Sequence, residues 1–179
     1  VTAFETFGGV YTHSAEYCEP APYAGKRVCI VGAGNSAVDI ASDICTAAKD
    51  VVLIARSPVA IVPHTFFGVN TNDISRTLQA RWIPSGLRRR LLKLMSRMVH
   101  GDLTKLGFRP LTHRVHATIS STIVQDILFR RVNVKNGIEA IDGTTIRFAD
   151  GTSGTFDALI AATGFVTEFP FLPDGLSRP

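Results

Sequence analysis

The chain has 179 residues, 45% hydrophobic and 19% charged, a balance that supports one packed domain and excludes a disordered segment. Its net charge of +4 suits an anionic ligand but is too mild to argue for nucleic acid by itself. The three cysteines, Cys18, Cys29 and Cys45, include no Cys-x-x-Cys pair, which argues against a disulfide framework or a zinc site and fits a reducing, cytoplasmic compartment.

Residues 1–24 are rich in glycine, tyrosine and proline, and Pro20 and Pro22 mark them as a linker. Val28-Cys29-Ile30-Val31 is a short continuous apolar run, as expected of a strand buried on both faces. Glycines follow, and Ala37, Ile40, Ala41 and Ile44 then recur at helical spacing. Val51-Val52-Leu53-Ile54-Ala55 is a second buried strand. Strand, glycine turn, helix and strand within about 30 residues make a βαβ unit with a right-handed crossover. Val59–Val62 reads as another short strand, ended by Pro63, and the segments 74–82 and 87–99 read as helices.

In the second of these helices Leu87, Leu91, Leu94, Met95 and Met98 form a stripe, with Arg88, Arg89, Arg90, Lys93 and Arg97 on the other faces. Such a stripe is expected to pack on the domain with its charges solvated rather than to lie on an anionic membrane. From Arg131 onward the pattern is β. Segments 132–134, 138–141 and 145–148 are separated by Asn136-Gly137 and Asp142-Gly143 and followed by Asp150-Gly151, which together predict a β-meander over 132–148. A last apolar strand, Ala158–Ala161, runs into Thr163-Gly164. The expected fold is a three-layer α/β, Rossmann-like dinucleotide-binding domain with a mainly parallel sheet and this meander.

Gly32-Ala33-Gly34-Asn35-Ser36-Ala37 joins the first strand to the first helix, the context in which a glycine pattern is informative. Gly32 permits the tight turn, and Gly34 lets the backbone approach a pyrophosphate. Ala37, where a third glycine often stands, lets the helix pack on the sheet. The helix N-terminus offers free N–H groups and the positive end of its dipole, with Asn35 and Ser36 as added side-chain donors. Sites selective for NAD place an acid about 20 residues beyond the loop, on the ribose hydroxyls. This chain has Arg56-Ser57 there, and an arginine pairs with the additional phosphate of NADP. Thr163 and Gly164 end a strand where open α/β sheets place ligands.

Three segments together resemble the flavin-containing monooxygenase family. Phe7-Gly8-Gly9-Val10-Tyr11-Thr12-His13-Ser14-Ala15-Glu16-Tyr17 matches that family's F-x-G-x-x-x-H-x-x-x-Y/F pattern. The glycine loop with Asn35-Ser36 is the second, and Ala161-Ala162-Thr163-Gly164-Phe165, similar to the family's A-T-G-Y/F strand end, is the third. Baeyer–Villiger relatives carry Trp followed by Pro or Asp at the end of the first pattern. Tyr17-Cys18 stands there instead, which resembles the branch that oxygenates nitrogen and sulfur. The resemblance implies that NADPH reduces FAD, and that the flavin then activates molecular oxygen to attack a small-molecule amine or sulfide. It adds Phe7, Gly9 and His13 to the cofactor-binding set, with His13 near the nicotinamide; Phe7 and Gly9 also have a plain structural reading, and so does His13, as a histidine beside aromatics that makes a structural hydrogen bond.

The same resemblance implies an organisation. Residues 1–24 are expected to lead from an FAD-binding domain, 25–149 to form the NADP-binding domain, and 150–179 to return towards the FAD-binding domain. A chain that starts at Val1 inside a motif and stops at Pro179 without a closing element is expected to belong to a larger unit, and this piece alone to be inactive. A pyridine-nucleotide disulfide reductase would need a cysteine pair that is absent. A short-chain dehydrogenase would need Tyr-x-x-x-Lys, but Tyr11, Tyr17 and Tyr23 precede Ala15, Ala21 and Arg27 at that spacing. The remaining alternative is a non-catalytic NADP-binding or sensor module. His64, His100, His113 and His116 lack metal-like spacing with acids or cysteines, and Arg88-Arg89-Arg90 has no aromatic platform for nucleic acid.

Overall fold

The computed structural model describes residues 4, 6–78, 84–112 and 116–165. In chain order its strands and helices begin with β1 (Val10–His13), β2 (Arg27–Val31), α1 (Asn35–Ile44), β3 (Asp50–Ile54) and β4 (Val59–Val62). There follow β5 (Thr65–Phe66), β6 (Val69–Asn70), α2 (Thr71–Leu78), α3 (Ser85–His100), β7 (His116–Ile119) and α4 (Ile123–Leu128). The chain continues through β8 (Val132–Lys135), β9 (Ile138–Asp142), β10 (Thr145–Phe148), β11 (Ser153–Thr155) and β12 (Ala158–Ala161).

A five-stranded sheet runs in the order β1-β12-β2-β3-β8, and every neighbouring pair in it is parallel. The apolar runs explain why. Successive side chains of a strand point to opposite faces, so a strand covered on both faces must be apolar throughout. Val28 and Ile30 of β2, Val51 and Leu53 of β3, and Ala158 and Ile160 of β12 lie in the core shared with α1 and α4. Their alternates Cys29, Val31, Val52, Ile54 and Leu159 lie in a second core with Phe7, Ile146, Phe148 and Phe156. Helices, parallel sheet and antiparallel meander are therefore the three layers.

The first helix buries the residues its spacing selects, Ala37, Ile40, Ala41 and Ile44, with Val38 added. Burying one large aliphatic side chain stabilises the fold by about 1.5–3 kcal/mol, so Ile40, Ile44 and Val38 contribute most of what this face adds to the hold of α1 on the core. The segments 1–24 and 150–179, expected as connections, each supply a strand of the sheet, β1 and β12. The meander is displaced from its expected position. It comprises β9, β10 and β11, and Val132–Lys135 instead pairs with β3 as the edge strand β8. The turns themselves are where the sequence puts them, with Gly143 at φ 55° and Gly151 at φ 80°.

Beyond the glycine loop lies a separate parallel pair, β4 with β7. Helix α3 packs on β4 of this pair, with Met95 and Ser96 buried, while Leu87, Leu94 and Met98 stay exposed. The expected apolar stripe is thus only partly covered, because one short strand is narrower than the face the stripe spans. Among the described residues no helix is long and apolar enough to cross a membrane. The end of the expected helix at 79–82 and residues 113–115 of the His113/His116 pair lie outside the described residues.

Candidate functional site

The C-terminal ends of β2, β3, β12 and β1 meet along one edge of the sheet, and the glycine loop sits at its centre. Val31 leads into Gly32, whose φ of +133° is a conformation L side chains rarely adopt. The Gly32 N–H donates to the Ile54 carbonyl at 3.1 Å, and the Ala162 N–H donates to the Val31 carbonyl at 2.8 Å. A Cβ on Gly32 would collide with the Ala162 carbonyl oxygen. Only glycine fits between these two strand ends.

Gly34 caps α1 with φ −79° and ψ −178°, extended backbone that any residue adopts. Glycine is therefore not required there by its own dihedrals, and its lack of a side chain lets a ligand approach the backbone closely. The first helical hydrogen bond runs from the Val38 N–H to the Gly34 carbonyl at 3.1 Å. The N–H groups of Asn35, Ser36 and Ala37 consequently lie outside the helical ladder. No acidic residue occupies the first turn, so nothing there opposes an anion at the positive end of the helix dipole. Asn35 and Ser36 are exposed, whereas Ala37 is wholly buried and contributes packing plus its free N–H. These groups fit the pyrophosphate of a dinucleotide.

Arg56 and Ser57 follow β3 after Ala55 and are exposed, while Ala55 is held by its N–H donating to the Lys135 carbonyl at 2.8 Å. The acid that a ribose would need is not at this end. Asp50 stands at the opposite end of β3, where it accepts a bond from Asn133 Nδ2 at 3.1 Å. Thr163 and Gly164 are exposed just after β12, with Gly164 at φ +102°. His13 closes the edge at the end of β1. Its Nδ1 accepts the Ala15 N–H at 3.2 Å, and its ring meets Phe165 edge-on with centroids 5.5 Å apart. With Nδ1 used as an acceptor, the neutral ring carries its proton on Nε2 and offers a donor.

The structure brings Gly32, Gly34, Asn35, Ser36, Ala37, Arg56, Ser57, Thr163, Gly164 and His13 to one edge, but it does not bring Phe7 and Gly9 there. Phe7 is buried in the core under the meander, at the other end of β1. A Cβ on Gly9 would lie 2.6 Å from the Asp157 carbonyl oxygen and 2.6 Å from the Phe7 ring. Their work is to seat β1, helped by the Gly8 N–H on the Gly143 carbonyl at 2.9 Å. Tyr17, which ends the same motif, reaches the helix layer, where its hydroxyl donates to Asp43 Oδ2 at 2.5 Å. Burial first, and then this carboxylate, push the Tyr17 phenol well above its ordinary value. One motif thus ties together the meander, the sheet edge and α1.

Two contacts at the loop have no counterpart in any motif. The Thr118 hydroxyl donates to the Ala33 carbonyl at 2.8 Å, and the Ile119 N–H donates to Asn35 Oδ1 at 3.0 Å. Both come from β7, a four-residue strand too short and too mixed for periodicity to reveal.

A parallel sheet flanked by helices and a meander, with a glycine loop feeding a helix at its C-terminal edge, defines a three-layer Rossmann-type dinucleotide-binding domain. Residues 1–178 match the flavin-binding monooxygenase-like family, and the chain belongs to that family. It is 34% identical over 177 residues to the indole-3-pyruvate monooxygenase YUCCA8 of Oryza sativa subsp. indica, covering 93% of this chain and 41% of that protein. It is 31% identical over 172 residues to YUCCA6 of Arabidopsis thaliana, covering 90% of this chain and 41% of that one. The chain therefore spans about two fifths of the length of these relatives. Among solved structures it is similar to the flavin-containing monooxygenase of Stenotrophomonas maltophilia, with 25% identity, a TM-score of 0.53, and 93% of this chain and 37% of that one covered. The fold is shared by OTEMO, solved with FAD and NADP, at 15% identity and a TM-score of 0.65 over 93% of this chain and 44% of that one.

Proposed function

We propose that this chain is the NADPH-binding portion of an FAD-dependent monooxygenase that oxygenates a small molecule with molecular oxygen. The observation that carries the reading is the glycine loop closed against Ala162, its first-turn N–H groups outside the helical ladder, with Arg56 exposed just past the end of β3, the strand paired with β2. In this reading residues 25–149 form the NADP-binding unit, and 1–24 and 150–179 lead to the FAD-binding part, passing through the sheet as β1 and β12. The three free thiols, Cys18, Cys29 and Cys45, suit a cytoplasmic setting.

The residues have separable tasks. The N–H groups of Gly34, Asn35, Ser36 and Ala37 hold the pyrophosphate in a fixed place without reorganisation. Arg56, with Ser57, holds the additional phosphate that distinguishes NADP from NAD. Thr163, Gly164 and His13 line the same edge towards the nicotinamide, where the His13 Nε2–H is a donor. When bound, the flavin supplies the oxygen chemistry, and the chain's contribution is placement of the nicotinamide and exclusion of water. Soft amines and sulfides are the first substrate class. A second class, aryl 2-oxo acids, is favoured by the name of the YUCCA relatives, indole-3-pyruvate monooxygenases.

The test is a calorimetric titration with NADPH and NADH, with Arg56→Ala as control, followed by oxygen uptake of the FAD-loaded full-length enzyme on an amine, a sulfide and an aryl 2-oxo acid. NADPH is expected to bind at least about tenfold more tightly than NADH, a difference of about 1.4 kcal/mol, and the mutant is expected to lose that preference. Equal affinity for both nucleotides in the unmutated protein would remove Arg56 from the site.

A further inference from the structure

Thr118 belongs to none of the motifs that mark the nucleotide site, yet it grips the glycine loop at its centre. Its side chain is fully buried on β7, and Oγ1 donates to the Ala33 carbonyl at 2.8 Å. One residue on, the Ile119 N–H donates to Asn35 Oδ1 at 3.0 Å. The loop is thereby held on both sides of Gly34. The strand that holds it is anchored in turn, because β7 pairs with β4 along its length and the Ser120 N–H donates to the Val62 carbonyl at 2.9 Å.

Holding these two acceptors sets the direction of the donors. A trans peptide unit carries its C=O and N–H on opposite sides. With the Ala33 carbonyl fixed on Thr118, the Gly34 N–H is turned away from β7, and among the described residues it makes no backbone hydrogen bond. Asn35 is fixed in the same sense. Its Oδ1 accepts from Ile119, which fixes the orientation of the carboxamide and leaves both NH2 hydrogens to donate. A flipped Ala33–Gly34 peptide would instead put a carbonyl oxygen beside the helix N-terminus and repel an anion. The geometry of β7 therefore decides whether the loop presents donors or acceptors.

We propose that Thr118 is a positioning residue for the dinucleotide pyrophosphate, acting through the Ala33 carbonyl without touching the ligand. The proposal rests on the NADPH reading above and adds to it a residue from outside the loop. Loss of one net hydrogen bond corresponds to about a three- to tenfold loss of affinity.

The experiment compares Thr118→Val and Thr118→Ser with the unmutated FAD-loaded enzyme, reading the Kd and KM for NADPH, kcat at saturation, FAD content and Tm. Thr122→Val is the control, since the Thr122 hydroxyl donates to Ser42 Oγ at 3.0 Å without contacting the loop. Thr118→Val is expected to raise Kd and KM by about three- to tenfold, with kcat and FAD content retained. Thr118→Ser, which keeps the hydroxyl, is expected to restore both constants, and Thr122→Val to leave them unchanged. If the valine variant fails to fold, Thr118→Ala, which adds no bulk, is expected to show the same rise. Unmutated affinity in the folded valine or alanine variant overturns the proposal, as does an equal loss in Thr118→Ser. If the unmutated enzyme binds no NADPH, the parent reading fails instead.

Discussion

Replacing Gly32 by alanine tests the geometry of the site most directly. Two separate penalties apply. An L side chain at φ +133° carries backbone strain of about 1–3 kcal/mol. The new methyl group also meets the Ala162 carbonyl oxygen, and Ala162 is tethered because its N–H donates to the Val31 carbonyl at 2.8 Å. Forcing that contact apart is a case of overpacking, which adds about 1–3 kcal/mol. The sum is about 2–6 kcal/mol, and for a chain of this size each kcal/mol lowers Tm by about 2–4 °C. Gly143→Ala is the control, since Gly143 has φ +55° with nothing within 4 Å of an added Cβ. It carries only the left-handed backbone term, about 1–2 kcal/mol. Thermal melts of both variants, followed by NADPH titration, are expected to show Gly32→Ala clearly less stable and at least about tenfold weaker in binding. A Gly32→Ala protein that melts with Gly143→Ala and binds NADPH normally would refute the claim that this turn is closed against Ala162.

Two further predictions concern the surface and the core. Lys135 Nζ donates to Asp150 Oδ2 at 2.7 Å, and this bond, followed by those from Thr152, holds the Asp150 carboxyl well below its usual range. A folded pKa below the unfolded value stabilises the protein above about pH 4, and that contribution fades as pH falls towards the folded pKa. Asp150→Asn is therefore expected to lower Tm at neutral pH, with the gap from the unmutated protein narrowing as the solution is acidified; a gap constant with pH would contradict the assignment. Among the thiols, Cys29 is fully buried and its pKa raised by burial, and Cys45 is pushed up to about 11 by burial and then by Asp126. Cys18 is exposed. A soluble disulfide reagent at about pH 8, below the usual thiol pKa of about 8.5, is expected to modify Cys18 alone in the folded protein, as mapped by mass spectrometry. Rapid modification of Cys29 would mean that β2 is not covered on the meander face.

Local pattern was enough wherever a feature depends on residues close in sequence. The continuous apolar runs at 28–31 and 51–55 named the buried strands, and the helical spacing of Ala37, Ile40, Ala41 and Ile44 named the face of α1 that meets the sheet. Asp142-Gly143 and Asp150-Gly151 marked turns that exist. Pairing partners are a different matter, because a strand carries no local record of its neighbour. Val132–Lys135 has the same alternation whether it opens the meander or closes the parallel sheet, and Val132 reaching the α-side core selects the second. β1 was hidden for the same reason: Val10–His13 is exposed or half-buried, and only its pairing with β12 makes it a strand.

At the candidate site, residues close together in sequence supply the proposed donors: the glycine loop, the helix behind it, and an arginine in place of an acid after the second strand. Each of these is written within a short stretch and follows from what one turn or one strand end requires. Tertiary structure alone decided the rest. It sent Phe7 and Gly9 to the meander, kept His13 at the C-terminal edge of the sheet, and laid Thr118, 85 residues away in sequence, against the Ala33 carbonyl. A threonine on a short strand has no pattern that announces a bond to a distant loop, because that bond exists only once two separately folded segments are packed together.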